Sequence, residues 1–365
     1  MDKTIIAIIG GFLGSGKTTV ILELAKKYIK DGYRVGIVAN DQGSQLVDKE
    51  YLISQGLDVL SVEGGCFCCR FGDLMDRVVE HGKKNVADIL LLEPVGSCTD
   101  LVSTVFRPFL NNRNKMLPVF NDKFILAPLA VMADPKRVKL LMQCDAEPKF
   151  NTEVTYLFSK QLEEANIILL NKCDTITEVE KDMLIGYLSK KYKGVDVRGI
   201  SASIGTGIDG LKVTLLMQAF TDRGRIDVDY GIYGAAEAKM GWFNTGIFVQ
   251  YEKPVDFNFL MQRYMDDVRK EFIEKGCSIA HMKCYAVAEG DHFKASITDN
   301  FEEISVNSLM ANDHSEANII INARVISDAG LLKRICEKHI VDVFGVSDMD
   351  TNCFSPGFPK PAYRE

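Results

Sequence analysis

The sequence predicts an α/β protein: a doubly wound, mainly parallel sheet over the first two-thirds, followed by a smaller C-terminal α+β domain. Three observations carry that reading. Short β-branched apolar runs alternate with amphipathic stretches as far as about residue 220, the pattern of βαβ units. A glycine-rich segment with phosphate-binding spacing follows the first run. The alternation then breaks over residues 221–239, and a different succession of runs begins.

In chain order, the strand-like runs are Thr4–Ile9, Arg34–Ala39, Asp58–Val62, Ala87–Leu92, Ile125–Ala133, Ile167–Leu170 and Val195–Ile200. Continuous apolar runs of this length suit strands covered on both faces. Helical periodicity lies between them, as in Thr18–Lys30 and Thr175–Tyr192. Beyond the break, Trp242–Tyr251, His281–Val287, Phe293–Thr298 and Ala317–Ala323 look like strands. Phe257–Lys275 and Ala329–His339 look like helices laid on one face of a mostly antiparallel sheet. The expected organisation is therefore a first domain over 1–220, a linker over 221–239, a second domain over 240–345 and an irregular, proline-containing tail over 346–365.

Composition narrows the function. The 365 residues are 47% hydrophobic and 25% charged, as in an ordinary globular protein, and the net charge of −7 argues against a nucleic-acid partner held by general phosphate attraction. The longest apolar run, Phe124 to Ala133, is about half the roughly 20 residues of a spanning helix, and Pro128 interrupts it. The N-terminal Met1-Asp2-Lys3-Thr4 passes straight into a strand and has no signal-peptide pattern. The expected location is the cytoplasm, without a membrane partner.

Gly11-Phe12-Leu13-Gly14-Ser15-Gly16-Lys17-Thr18 stands between the first strand and the first helix. It matches the phosphate loop of P-loop NTPases in spacing and in context. Its glycines let backbone N–H groups turn toward phosphate oxygens, and the helix N-terminus adds a positive dipole end. Lys17 is expected on the β- and γ-phosphates and the Thr18 hydroxyl on Mg²⁺.

Asn171-Lys172-Cys173-Asp174 ends a strand at the edge where open α/β sheets bind ligands. A carboxylate there accepts two hydrogen bonds from guanine, whereas adenine would face it with a lone pair. Asp174 is thus expected to select GTP, and Ser201-Ala202 to offer backbone groups to the guanine oxygen. Glu93, in Glu93-Pro94-Val95-Gly96, follows an apolar run and is expected to hold Mg²⁺ or position water, with the Gly96 N–H on the γ-phosphate. Asp41, in Asn40-Asp41-Gln42-Gly43, is a second acid at the same edge, and either acid has an alternative reading as a plain turn former. An ATP-dependent small-molecule kinase, in which the Asn-Lys-Cys-Asp sequence is accidental, is the reading that competition between bases would separate.

Three of the ten cysteines fall within four positions, in Gly64-Gly65-Cys66-Phe67-Cys68-Cys69. Clustered thiols in a chain without need of disulfides point to a soft or borderline cation such as Zn²⁺, Cu(I) or Co²⁺. Three sulfurs leave a tetrahedral site open, which suits transfer. Two other readings stand beside this one. A closed structural zinc site would take a fourth ligand, for which Cys98 is a candidate, and a redox pair would use Cys68 and Cys69. The cluster lies between the phosphate loop and Glu93, the stretch that in nucleotide switches rearranges with the γ-phosphate.

Taken together, these residues resemble the CobW-like branch of metal-chaperone GTPases, relatives of the hydrogenase- and urease-maturation GTPases. The match runs through Gly11–Thr19, Asn40–Gly43, Gly65–Cys69, Glu93–Gly96, Ala133-Asp134, Gln161–Asn166, Asn171–Asp174 and Ser201-Ala202. The resemblance implies a P-loop GTPase domain with a phosphate site of Gly11, Gly14, Ser15, Gly16, Lys17, Thr18 and Thr19 and a base site that includes Lys172. It further implies Zn²⁺ or Co²⁺ on Cys66, Cys68 and Cys69, and slow hydrolysis stimulated by a partner. That partner would be a client metalloprotein or a cofactor-maturation enzyme, with cobalamin synthesis among the family's settings; oligomerisation is left open. Asp41 stands where the family usually has Glu and Pro94 where it usually has Ser, and the five histidines form no metal-collecting tract. The alternative is a nucleotide-gated chaperone that docks on a corrinoid or other metalloprotein and keeps only a structural metal.

Overall fold

A computed structural model describes residues 3–40, 47–84, 87–111, 123–147 and 152–365. The chain divides into two compact units. The first contains Leu52–Tyr233 with the N-terminal strands and, from the other end of the chain, Pro359–Glu365; the second contains Gly234–Phe358 with a short stretch ending at Tyr51.

The first unit is built on eight parallel strands: β1 (Thr4–Gly11), β2 (Val35–Asn40), β3 (Asp58–Val62), β4 (Ile89–Glu93), β5 (Phe124–Leu126), β6 (Ala130–Ala133), β7 (Ile167–Leu170) and β8 (Asp196–Gly199). Their order is β3-β2-β4-β1-β6-β7-β8, with β5 also pairing β1. Every residue of β1 and β4 is buried, as expected of strands covered on both faces. The run expected as one strand over Ile125–Ala133 is two: β5 pairs Thr4–Ile6 and β6 pairs Ile9–Gly11. Pro128 between them has no N–H to give a ladder, so the pairing lapses there and resumes at Ala130. Because the strands are parallel, Gly11, Asn40, Val62, Glu93, Ala133, Leu170 and Gly199 all end at one edge of the sheet. Each motif singled out in the sequence lies at or just past one of these ends.

The second unit is a six-stranded antiparallel sheet. Its strands are β9 (Met240–Val255), β10 (Ser278–Ala288), β11 (Asp291–Ile297), β12 (Ser305–Ser308), β13 (His314–Ile326) and β14 (Asp350–Phe354), in the order β12-β11-β10-β13-β9-β14. Helices Phe257–Glu274 and Ala329–Phe344 bury Tyr264, Met265, Ile335 and Ile340 against Phe243, Met282 and Ile319 of the sheet in a single core.

Two stretches are more ordered than the sequence suggests. The tail expected to be irregular contains β14, which pairs Asp350–Phe354 with Trp242–Gly246, and Phe354 lies 6.1 Å from the Trp242 ring. Residues 221–239, expected as a linker, carry helix Tyr230–Ala238. The start of that stretch is tied down by polar contacts: Asn166 Nδ2 donates to Thr221 O at 2.7 Å, and Arg107 pairs with Asp222 at 2.8 Å. Such contacts leave no apolar periodicity to read in a sequence. Among the described residues, no helix is long and apolar enough to cross a membrane.

Candidate functional site

The phosphate loop has the backbone that its spacing demands. Gly16 adopts a φ of 97° at the head of helix Lys17–Lys30, a left-handed conformation that a Cβ disfavours, and an added Cβ would also collide with Asn171 Nδ2. Gly11 has a φ of 131°, and a Cβ there would lie 2.6 Å from Met132 O. Ser15, Lys17 and Thr18 are buried, while Gly14, Gly16 and Thr19 are partly exposed. Lys17 Nζ donates to Gly11 O at 2.9 Å and Phe12 O at 3.3 Å, so its ammonium sits over the loop it belongs to.

Thr18 Oγ1 donates to Glu93 Oε1 at 2.9 Å across the gap between β1 and β4. Two oxygen ligands at 2.0–2.1 Å on adjacent corners of an octahedron are about 2.9 Å apart, so this pair fits Mg²⁺. Gly96 approaches the phosphate loop closely, since a Cβ on it would lie 2.9 Å from Leu13 N. Asp41, the second expected acid, lies outside the described residues.

At the other side of the loop, Asn171 ties three segments together. Its Nδ2 donates to Ser15 O at 2.9 Å, and its Oδ1 accepts from the Ala202 N–H at 3.0 Å. Lys172 takes a left-handed φ of 62°, which turns the chain into the short helix Cys173–Thr175. Asp174 is exposed; the Ser201 hydroxyl donates to it, and the Ser203 hydroxyl reaches it at 3.4 Å. The structure thus brings Asn171, Asp174, Ser201 and Ala202 together beside the phosphate loop. Asp134, after β6, caps helix Pro135–Ala146 by accepting from the Arg137 N–H at 3.1 Å. Burial pushes its carboxyl up, but the charges of Arg137 and Lys172 prevail and hold it below the usual range.

The cysteine segment follows β3. Cys66, Cys68 and Cys69 converge, with Sγ separations of 2.8 Å (66–68), 3.3 Å (66–69) and 3.9 Å (68–69). The edge of a tetrahedral zinc–thiolate site is about 3.8 Å for Zn–S bonds of about 2.3 Å, so a shift of an ångström or less seats a metal. Cys66 and Cys68 are buried and Cys69 is partly exposed. A tight turn, in which the Cys69 and Arg70 N–H groups donate to Cys66 O at 3.0 and 2.9 Å, aims the thiols inward. Hydrogen bonds from the thiols of Cys68, Cys69 and Cys98 hold Cys66 well below the usual thiol range against the effect of burial, making it the thiolate of the group. Donation to Cys66 correspondingly raises Cys68, and raises Cys69 to about 11.

Sequence reasoning missed four supports of this site. Asn40, the last residue of β2, donates to Val62 O and Gly65 O at 2.9 and 2.7 Å and accepts from the Phe67 N–H at 2.9 Å, which clamps the cysteine segment. Gln161, almost fully buried, donates through Nε2 to Gly96 O at 3.0 Å and to Cys98 O at 2.8 Å. Cys98 shares hydrogen bonds with Cys66 and Cys68. Finally, residues 359–365 lie across the cysteine segment: the Lys360 N–H donates to Cys69 Sγ at 3.2 Å and the Ala362 N–H to Cys68 O at 2.9 Å. Arg364 Nε donates to the fully buried Asp100 at 2.7 Å. Asn40 and Gln161 were in the resembling segments without a role, and nothing local in the sequence marks the tail.

The comparisons with known proteins agree with this geometry. The "Zinc chaperone CobW" of Sinorhizobium sp is 29% identical over 183 residues, covering 46% of this chain and 51% of its own length. The "Zinc chaperone YeiR" of Escherichia coli (strain K12) is 31% identical over 188 residues, covering 48% of this chain and 49% of its own. This chain therefore spans about half the length of the curated relatives it matches. Among solved structures, the Zn(II)-bound YjiA GTPase from E. coli aligns with 94% of this chain and 99% of its own, at 15% identity and a TM-score of 0.39. A family model described as "CobW/HypB/UreG, nucleotide-binding domain" matches residues 5–197, more than half of the 365. The chain belongs to the CobW/HypB/UreG family.

Proposed function

We propose that this chain is a GTP-binding and GTP-hydrolysing metallochaperone of the cytoplasm that carries Zn²⁺ or Co²⁺ on Cys66, Cys68 and Cys69. It delivers the metal, or a cofactor containing it, to a client protein. The observation that carries the reading is the convergence of three thiols within 4.8 Å of one another, at the sheet edge that also bears the phosphate loop. The names of the relatives, zinc chaperones in both cases, support the metal half of it.

In this reading Gly11, Gly14, Ser15, Gly16 and Thr19 cradle the phosphates and Lys17 turns from the loop carbonyls onto the β- and γ-oxygens. Thr18 and Glu93 hold Mg²⁺, which would neutralise charge developing on the transferred phosphoryl group. Asp41 and Glu93 position water, Gly96 donates to the γ-phosphate, and Asn171, Lys172, Asp174, Ser201 and Ala202 form the guanine site. No side chain in the site is an evident arginine finger, so unassisted turnover is slow and a partner accelerates it. The second reading, a docking chaperone with a purely structural metal, is favoured by the fourth thiol, because closed four-ligand sites are typically structural.

Titrating Zn²⁺ and Co²⁺ into reduced protein against a competing chelator tests both, with a Mg²⁺–GTP analogue compared to Mg²⁺–GDP and Cys68→Ser as control. Metal affinity that differs between the nucleotides and disappears with Cys68→Ser supports the carrier. Tight binding indifferent to nucleotide leaves the docking chaperone, and the absence of cysteine-dependent binding refutes both.

A further inference from the structure

Cys98 is buried, two residues past Gly96, and its thiol shares hydrogen bonds with those of Cys66 and Cys68. Its backbone is held on both sides: the Cys98 N–H donates to Val95 O at 2.9 Å, and the Gln161 amide binds its carbonyl at 2.8 Å. The same Gln161 nitrogen binds Gly96 O at 3.0 Å. Gly96 in turn abuts the phosphate loop at Leu13. A continuous path of contacts therefore runs from the phosphate loop through Gly96 to a thiol inside the cysteine group. The other thiols lack such a link, since they belong to the loop after β3.

We propose that Cys98 is the fourth thiolate of the metal site and its detachable one, so that the γ-phosphate, by displacing Gly96, changes the number of sulfurs on the metal from four to three or back. This rests on the metal-binding reading above and deepens it. Four thiolates around a divalent cation close the tetrahedron and retain the metal; three leave a position through which a client's ligand enters. Each thiol that joins the metal gives up its proton to solvent. The surplus negative charge of a four-thiolate site is met by backbone donors, of which Lys360 N–H on Cys69 Sγ is one already in place. Cys69, partly exposed, faces the entering ligand, whereas Cys66, Cys68 and Cys98 are buried.

Cobalt(II) reports the ligand number directly through its thiolate charge-transfer absorption. In wild-type protein the intensity is expected to differ between Mg²⁺–GTP analogue and Mg²⁺–GDP by about a quarter, the share of one thiolate in four. Cys98→Ser should show the lower intensity with both nucleotides and bind Zn²⁺ at least about tenfold more weakly in the four-thiolate state. Cys144→Ser, a buried cysteine elsewhere, should match wild type and serves as the control for folding. Spectra of Cys98→Ser that equal wild type would overturn the fourth ligand while leaving the three-thiol carrier intact. A wild-type spectrum that loses intensity with Cys98→Ser but ignores nucleotide would overturn detachment. Loss of all Cys68-dependent cobalt binding would instead remove the metal-binding reading on which this one stands.

Discussion

Replacing Asn40 by alanine should loosen the cysteine segment before any metal is present. The side chain makes three hydrogen bonds, of 2.9, 2.7 and 2.9 Å, to Val62 O, Gly65 O and the Phe67 N–H, at a position only 8% exposed. Each is worth about 1 kcal/mol net, and the Phe67 N–H left buried adds to the cost, giving about 3 kcal/mol or slightly more. The chain has two compact units, so one denaturation midpoint would mix their responses. Hydrogen exchange over residues 62–70 in reduced, metal-free protein reads the segment itself. A loss of about 3 kcal/mol there is roughly a hundredfold faster exchange at Phe67. Zinc affinity should fall about 10- to 100-fold, as when other outer partners of metal ligands are removed. Asn40→Asp keeps the acceptor for Phe67 but loses both donations and sets a carboxylate against two carbonyl oxygens. It should therefore be at least as damaging as alanine at neutral pH. Exchange within threefold of wild type in Asn40→Ala, or an Asp variant that behaves as wild type, would refute the clamp.

Asp174→Asn exchanges an acceptor for a donor against the guanine edge, and GTP affinity measured by competition with a fluorescent analogue should fall by about 10³ or more, while xanthosine triphosphate, which presents a carbonyl there, loses far less. Glu164, fully buried, accepts the Val102 N–H at 3.0 Å, and its carboxyl is raised well above its ordinary 4.5, chiefly by burial. Its contribution to stability is complete below pH 4.5 and is lost as pH rises through the raised value, at up to about 1.4 kcal/mol per pH unit; Glu164→Gln should abolish that part of the decline in a thermal-melt series across pH 5–8. Arg364→Ala removes the 2.7 Å bond to buried Asp100, leaving Tyr230 as its remaining side-chain donor at 3.0 Å. The cost should be about 2 kcal/mol, and alkylation of Cys69 in metal-free protein should accelerate as the segment 359–365 lifts.

What was legible in the sequence is what backbone geometry imposes locally. The phosphate loop needs glycines at fixed spacing, and the Gly16 φ of 97° against Asn171 shows why no other residue type would serve. Buried parallel strands need unbroken apolar runs, so seven runs could be read, and the one that was misread, Ile125–Ala133, carried its own warning in Pro128. What was not legible depends on distant partners. β14 alternates polar and half-buried residues at a sheet margin, where Thr351 and Cys353 give no apolar signal, and only its pairing with β9 reveals it. Cys98 was one of seven scattered cysteines, and its loop gives no hint that it meets a turn some thirty residues earlier. Asn40 and Gln161 each act through an amide that reaches two or three separate backbone groups, an arrangement without periodicity.

The Gln161 contact also sets how motion must pass along this edge. One amide nitrogen serves two carbonyls, Gly96 O at 3.0 Å and Cys98 O at 2.8 Å. Hydrogen bonds of this kind are lost when stretched by much more than half an ångström. Gln161 itself is fixed in helix Glu153–Glu163 and nearly inaccessible to water, so solvent does not readily replace a broken bond. A displacement of Gly96 of about an ångström toward the phosphates therefore has two outcomes. Either it breaks its own bond and leaves a carbonyl poorly paired, or Gln161 follows and draws on Cys98 O. The cheaper course preserves both bonds and moves Gly96, Gln161 and Cys98 together, and the thiol of Cys98 then leaves or joins Cys66 and Cys68 as the loop moves.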